Sequence, residues 1–76
     1  MDWRARITAT PDTLAGKPRV NGTRLAVAFL LDLMASGWTE AEILENYPSL
    51  TPDDLRACLA YAAHLAHDER GATLAA

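Results

Sequence analysis

From Ala26 onward the apolar residues of this chain recur at helical spacing, and two residues cut that pattern into three pieces. Gly37 closes the first piece, because glycine readily takes the left-handed conformation that follows a helix. Pro48 stops the second, because proline cannot continue a helix. The punctuation therefore predicts three helices, over residues 26–36, 40–47 and 52–69. In the first, Val27, Leu30, Leu31 and Met34 fall at i, i+3, i+4 and i+7, with Phe29 and Leu33 widening the buried face. In the second, Thr39 is the expected N-cap. Glu42, three residues later, completes a capping box, and Ile43, Leu44 and Tyr47 form the apolar face. The third opens with Thr51 as N-cap, Pro52 at the first helical position, and Asp53 and Asp54 where carboxylates complement the helix dipole. Along it Leu55, Leu59, Ala62 and Ala66 recur, with Cys58 and Leu65 beside them. Gly71 is the expected end, and residues 71–76 a frayed tail.

Residues 1–25 read as extended. "RITAT" holds β-branched Ile7 and Thr8 and predicts a short strand. Pro11 breaks it. In "PRVNGTRL" the Asn21–Gly22 pair predicts a type I′ turn between two tiny strands, Pro18–Val20 and Thr23–Leu25. Two such strands are not stable alone. They need the Ile7 strand, the helices or a second copy. The expected fold is thus mainly α, one domain over residues 1–76: a short N-terminal strand and β-hairpin, then three helices. The last two, joined by a short turn, match the spacing of a helix-turn-helix unit.

Size bounds what such a core can supply. A 76-residue chain buries roughly 60–65% of the surface its unfolded form exposes. Half the residues are apolar, but 15 of those 38 are alanines, which bury little area. The core must rest on eleven leucines plus Ile7, Val20, Val27, Phe29, Met34, Trp38, Ile43, Tyr47 and Tyr61. A chain of this kind gains from a partner surface, so a dimer or a complex is expected. A single cysteine, Cys58, permits no intrachain disulfide, which fits a reducing cytoplasm. Met1 to Ala9 shows no signal-peptide pattern. The longest fully apolar run, Leu25 to Leu31, is far shorter than the roughly 20 residues that span a bilayer.

Charge is unevenly placed. The net charge is −3. Residues 1–24 carry Arg4, Arg6, Lys17, Arg19 and Arg24 against Asp2 and Asp12, whereas the remainder carries Arg56 and Arg70 against eight acids. Halves of opposite sign point to self-association or a docking surface. The most basic stretch is "GKPRVNGTR", residues 16–24.

The ordered marks Gly16-Lys17-Pro18, Gly22-Thr23-Arg24, Gly37, Ile43-Leu44, Tyr47-Pro48 and Leu50-Thr51 run from Ile7 to about Ala63. In these the chain resembles the domain of unknown function family 433, small bacterial and archaeal proteins described as VapB-type antitoxins. The resemblance implies a homeodomain-like or winged-helix-like helix-turn-helix core behind a small β segment. It also implies a homodimer that pairs with a PIN-like ribonuclease toxin.

Two functional readings follow. As an antitoxin the chain would use Lys17, Arg19, Arg24 and Trp3 against its partner. PIN-type sites are lined with acids that hold metal, and the planar fork of arginine makes bidentate bonds to carboxylate. Against this stands the plainer reading that the basic residues pair with the protein's own acids and that Trp3 covers its own core. As a transcriptional regulator the chain would lay its third helix in the major groove of operator DNA, with Ser49, Thr51 and Arg56 nearest the bases. Asp53 and Asp54 oppose that placement, and a sequence pI near 5.1 is far from the basic footprint of DNA-binding domains. No enzymatic constellation is legible, and no cofactor is expected. His64, His67 and Asp68 share part of one helix, but a metal site needs three converging ligands, and histidines near a helix C-terminus complement its dipole. Cys58, between Leu55 and Leu59, is expected to be a small core residue.

Overall fold

The caps that the sequence supplies stand at the end of the first helix and at the starts of the second and third in the computed structural model; residues 2–68 are described. Helix α1 spans Val27–Ala35, α2 Glu40–Asn46 and α3 Pro52–Asp68. At the end of α1, Gly37 takes φ 97°. The Gly37 amide donates to the Met34 carbonyl at 3.1 Å, and the Trp38 amide to the Leu33 carbonyl at 3.0 Å. That pair of bonds is the Schellman motif expected of a glycine here. At the start of α2 the Thr39 side chain accepts from the Glu42 amide at 3.1 Å, while a Glu42 carboxylate oxygen accepts from the Thr39 amide at 2.8 Å. The predicted capping box is present in both directions. These bonds to the charged form hold the Glu42 carboxyl below its usual range, the backbone amide of Thr39 contributing most. The expected helix end at Gly71 and the tail 71–76 lie outside the described residues.

The N-terminal segment is knitted by two short strands. Strand β1, Ile7–Thr8, runs antiparallel to β2, Arg19–Val20, with Ile7 opposite Val20 and Thr8 opposite Arg19. A single 3-10 turn, Trp3–Ala5, precedes β1, capped by the Asp2 carboxylate accepting from the Arg4 amide at 3.0 Å.

The return after Val20 differs from the expected type I′ hairpin. Gly22 has φ 77°, but Asn21 is not at positive φ. Positive φ at the second central residue alone is the type II pattern. Side chains account for the difference. The Asn21 amide group donates to the Ala5 carbonyl at 2.7 Å, and its backbone N–H to the Arg6 carbonyl at 2.8 Å. Asn21 is thus spent on the preceding segment. Thr23 closes the turn, its hydroxyl donating to the Val20 carbonyl at 2.8 Å and accepting from the Leu25 amide at 3.0 Å. Residues 23–25 form no strand; the returning arm is one bridge between Arg19 and Ala26.

Between the strands the backbone is strained. Leu14 and Ala15 have φ 52° and 54°, followed by Gly16 at 81°. The left-handed conformation costs an L-residue about 1–2 kcal/mol. Ala15 is exposed, so its methyl group offsets little of that. Ala15→Gly is therefore expected to raise stability by about 0.5–1 kcal/mol, the relief being reduced by the extra freedom glycine has when unfolded. Urea unfolding of both proteins checks this.

The core gathers Ile7 and Val20 from the strands, Val27 and Leu30 from α1, Ile43 from α2, Leu50 from the connection, and Leu55, Ala57 and Cys58 from α3. Sheet and helices thus share one interior. Four expected core residues are only partly covered: Phe29, Trp38, Leu59 and Leu65. Phe29 does not widen the buried face of α1; it stands edge-on to Tyr47, ring centroids 5.7 Å apart, at the surface. Among the described residues no helix is long and apolar enough to cross a membrane.

Candidate functional site

Ion pairing divides the cationic side chains into two groups. Arg6 reaches 48 residues along the chain: its guanidinium lies 3.0 Å from the Asp54 carboxylate and 3.6 Å from that of Asp53. Arg56 binds Asp53 at 2.9 Å, and Arg4 lies 3.8 Å from Asp2. Lys17, Arg19 and Arg24 form the second group, with no carboxylate partner among the described residues. The alternative that Lys17, Arg19 and Arg24 pair with this protein's own acids is not met there. The internal pair belongs to Arg6, which nothing in the local sequence distinguishes from Arg4.

The unpaired three sit on the segment that leads into and out of β2, and they are not equivalent. Lys17 and Arg24 are exposed. Arg19 is half-buried; its guanidinium donates to the Thr23 carbonyl at 3.3 Å, while its Nε is buried without a partner. Arg19 therefore braces the turn, and Arg24 is the arginine whose fork is open. Trp3 packs on α3: its ring stands edge-on to Tyr61 at 5.1 Å and tilted against His64 at 5.4 Å, with the Arg4 guanidinium 4.5 Å above it. It is half-buried, so part of its surface covers the protein's own helix.

The start of α3 is neutral in sum. Asp54 stands at the third helical position, is buried, and makes a second reciprocal cap. Its carboxylate accepts from the Thr51 amide at 2.9 Å, and its amide donates to the Thr51 hydroxyl at 3.2 Å. Thr51 thus spends its hydroxyl on the helix, and Arg56 spends its charge on Asp53. Ser49 is exposed.

His64 leans on Trp3, and among the described residues no three His, Cys, Asp or Glu side chains converge on a metal position. Cys58 is fully buried. Burial, then the Asp54 carboxylate nearby, pushes its thiol up to about 11. The folded protein therefore holds this proton to higher pH than the unfolded chain. The stability that rests on it is complete below the ordinary value of 9.0 and lost as pH rises toward about 11. At pH 8 the native thiol is expected to resist iodoacetamide and to react only as fast as the protein opens, which mass spectrometry would read directly.

A DUF433 member protein from Anabaena variabilis ATCC 29413, solved by crystallography, is 36% identical with TM-score 0.75; the match covers 78% of this chain and 58% of that one. The uncharacterized protein y4eO of Sinorhizobium fredii (strain NBRC 101917 / NGR234) is 37% identical over 59 residues, 78% of this chain. The chain spans only 27% of that relative's length. The family described as "Protein of unknown function (DUF433)" matches residues 7–62, a span that takes in both strands, the basic segment, the first two helices and most of the third, and the chain belongs to that family.

Proposed function

We propose that the protein is an antitoxin-like binding protein, a homodimer that docks on a PIN-like ribonuclease and neutralises it through the segment 16–24. The observation that carries this reading is the sorting of charge. Within the described residues, every cation outside that segment has a carboxylate partner, and every cation inside it has none. Open basic groups in an acidic protein favour an acidic partner site. Arg24 is the residue best placed to bind a carboxylate pair, since Arg19 is engaged by Thr23. The partly covered Phe29, Trp38, Leu59 and Leu65 supply apolar area for association.

The reading as an operator-binding regulator finds less support. The basic residues at the start of α3 are spent on its acids, Arg56 on Asp53 and Arg6 on Asp54 and Asp53, so the helix tip offers phosphate no net positive charge. The test is co-expression with the neighbouring gene product, with a tag on this chain only. A PIN-like ribonuclease is expected to co-purify at fixed stoichiometry, and Arg24→Ala to weaken the complex about tenfold. Emergence of the tagged protein alone, together with a steeply salt-dependent shift of operator DNA, would replace this reading with the regulator.

A further inference from the structure

An open apolar groove of about 240 Å³ lies beside the basic segment. Its floor is Val27, itself part of the core. Leu31 of α1, Tyr61 and Leu65 of α3, and Pro18 line it as well. The groove is built before anything enters it. Tyr61 is held from behind by the edge-on ring of Trp3, Pro18 has a fixed φ, and Val27 is anchored in the interior. Its volume exceeds the roughly 150 Å³ of a cavity that takes up benzene, so it has room for one large apolar side chain. Among the described residues the single charged side chain on its lining is Lys17, which is exposed and has no carboxylate partner there.

We infer that this groove seats an apolar side chain from a partner-protein segment that also carries a carboxylate, the carboxylate pairing with Lys17 at the rim. Charge selects this occupant. The charge on the lining is the exposed ammonium group of Lys17, which attracts a carboxylate to the rim. A purely apolar occupant would leave the ammonium group of Lys17 beside its lining and unpaired, and a basic one would be repelled by it. The inference rests on the proposed function for the partner's identity, but not for the groove's chemistry.

The chemistry is tested on the intact protein with 4-phenylbutyrate and its uncharged amide, by amide chemical shifts in a titration. The carboxylate is expected to move the resonances of Val27, Leu31, Tyr61 and Leu65 and to bind about three- to fivefold tighter than the amide, the range of an exposed ion pair. Lys17→Gln should erase that preference. Ala28→Phe, at an exposed position on the groove lining, should block both probes without lowering Tm. Absence of shifts at these residues, or equal binding of acid and amide, overturns the inference. So do concentration-dependent shifts there without probe, which would assign the groove to a second copy of this chain. The two readings separate in the ribonuclease complex. A complex that forms and is unchanged by Ala28→Phe and Lys17→Gln removes the groove and keeps the antitoxin. Probe binding with no ribonuclease complex keeps the groove and removes the antitoxin.

Discussion

Replacing Asp54 by alanine is expected to lower stability by about 3 kcal/mol and Tm by roughly 15 °C. Two losses add. The first is the cap: without the carboxylate, the Thr51 amide at the start of α3 has no acceptor, a loss of about 1 kcal/mol. The second is the charge-assisted bond from Arg6 at 3.0 Å, worth about 1.5–3 kcal/mol. The upper end is not reached, because the Arg6 side chain is 37% exposed and keeps Asp53 at 3.6 Å. Asp54→Asn separates the two. Asparagine keeps one oxygen to accept from the Thr51 amide but presents an NH2 group where Asp54 accepts from Arg6, so it keeps the cap, loses the ion pair and should cost about 2 kcal/mol. A double-mutant cycle with Arg6→Met gives the coupling directly. If Asp54→Ala costs no more than Asp53→Ala, the pair is not what fastens the N-terminal turn to α3.

That pair also marks where the sequence stops being legible. Caps depend on residues three or four apart, so the Schellman close at Gly37 and the box at Thr39 and Glu42 could be read from spacing alone. Asp54 stands at the same spacing from Thr51, so its cap was legible too, although the expectation took it only as a second acid beside Asp53. Its burial and the bond from an arginine 48 residues away were not, since no local pattern encodes either. The Asn21–Gly22 turn failed for a related reason. Its predicted form assumed that Asn21 answers only to its own backbone, whereas Ala5 and Arg6 claim it. The left-handed Leu14 and Ala15 carry no signal, since neither residue type favours that conformation. For the candidate site, the concentration of charge at Lys17, Arg19 and Arg24 was plain from composition. Their different roles were not, because a guanidinium that braces a turn and one that stands open look alike in sequence.

Leu30→Ala should go further and leave the isolated chain largely unfolded at room temperature. Leu30 is fully buried at the centre of α1, with Val20 of the sheet and Ile43 of α2 in the same core cluster. Deleting a leucine side chain at such a site costs about 3–5 kcal/mol, because the surroundings close the cavity only in part. A core of this size rarely supplies more than about 3–5 kcal/mol, so the deletion removes nearly all of it. Circular dichroism should show loss of the helical signal and of a cooperative thermal transition. A partner that binds only the folded form adds RT ln(1 + [L]/Kd), about 4 kcal/mol at a thousandfold excess over Kd. Leu30→Ala should therefore recover its helices inside a tight ribonuclease complex, while Leu30→Ala combined with Arg24→Ala, binding about tenfold more weakly, should need about tenfold more partner to do so. Recovery of both at the same partner concentration would mean that Arg24 lies outside the interface. Recovery in neither, with Arg24→Ala alone still folded, would mean that the ribonuclease does not bind the folded form tightly enough to offset the lost core.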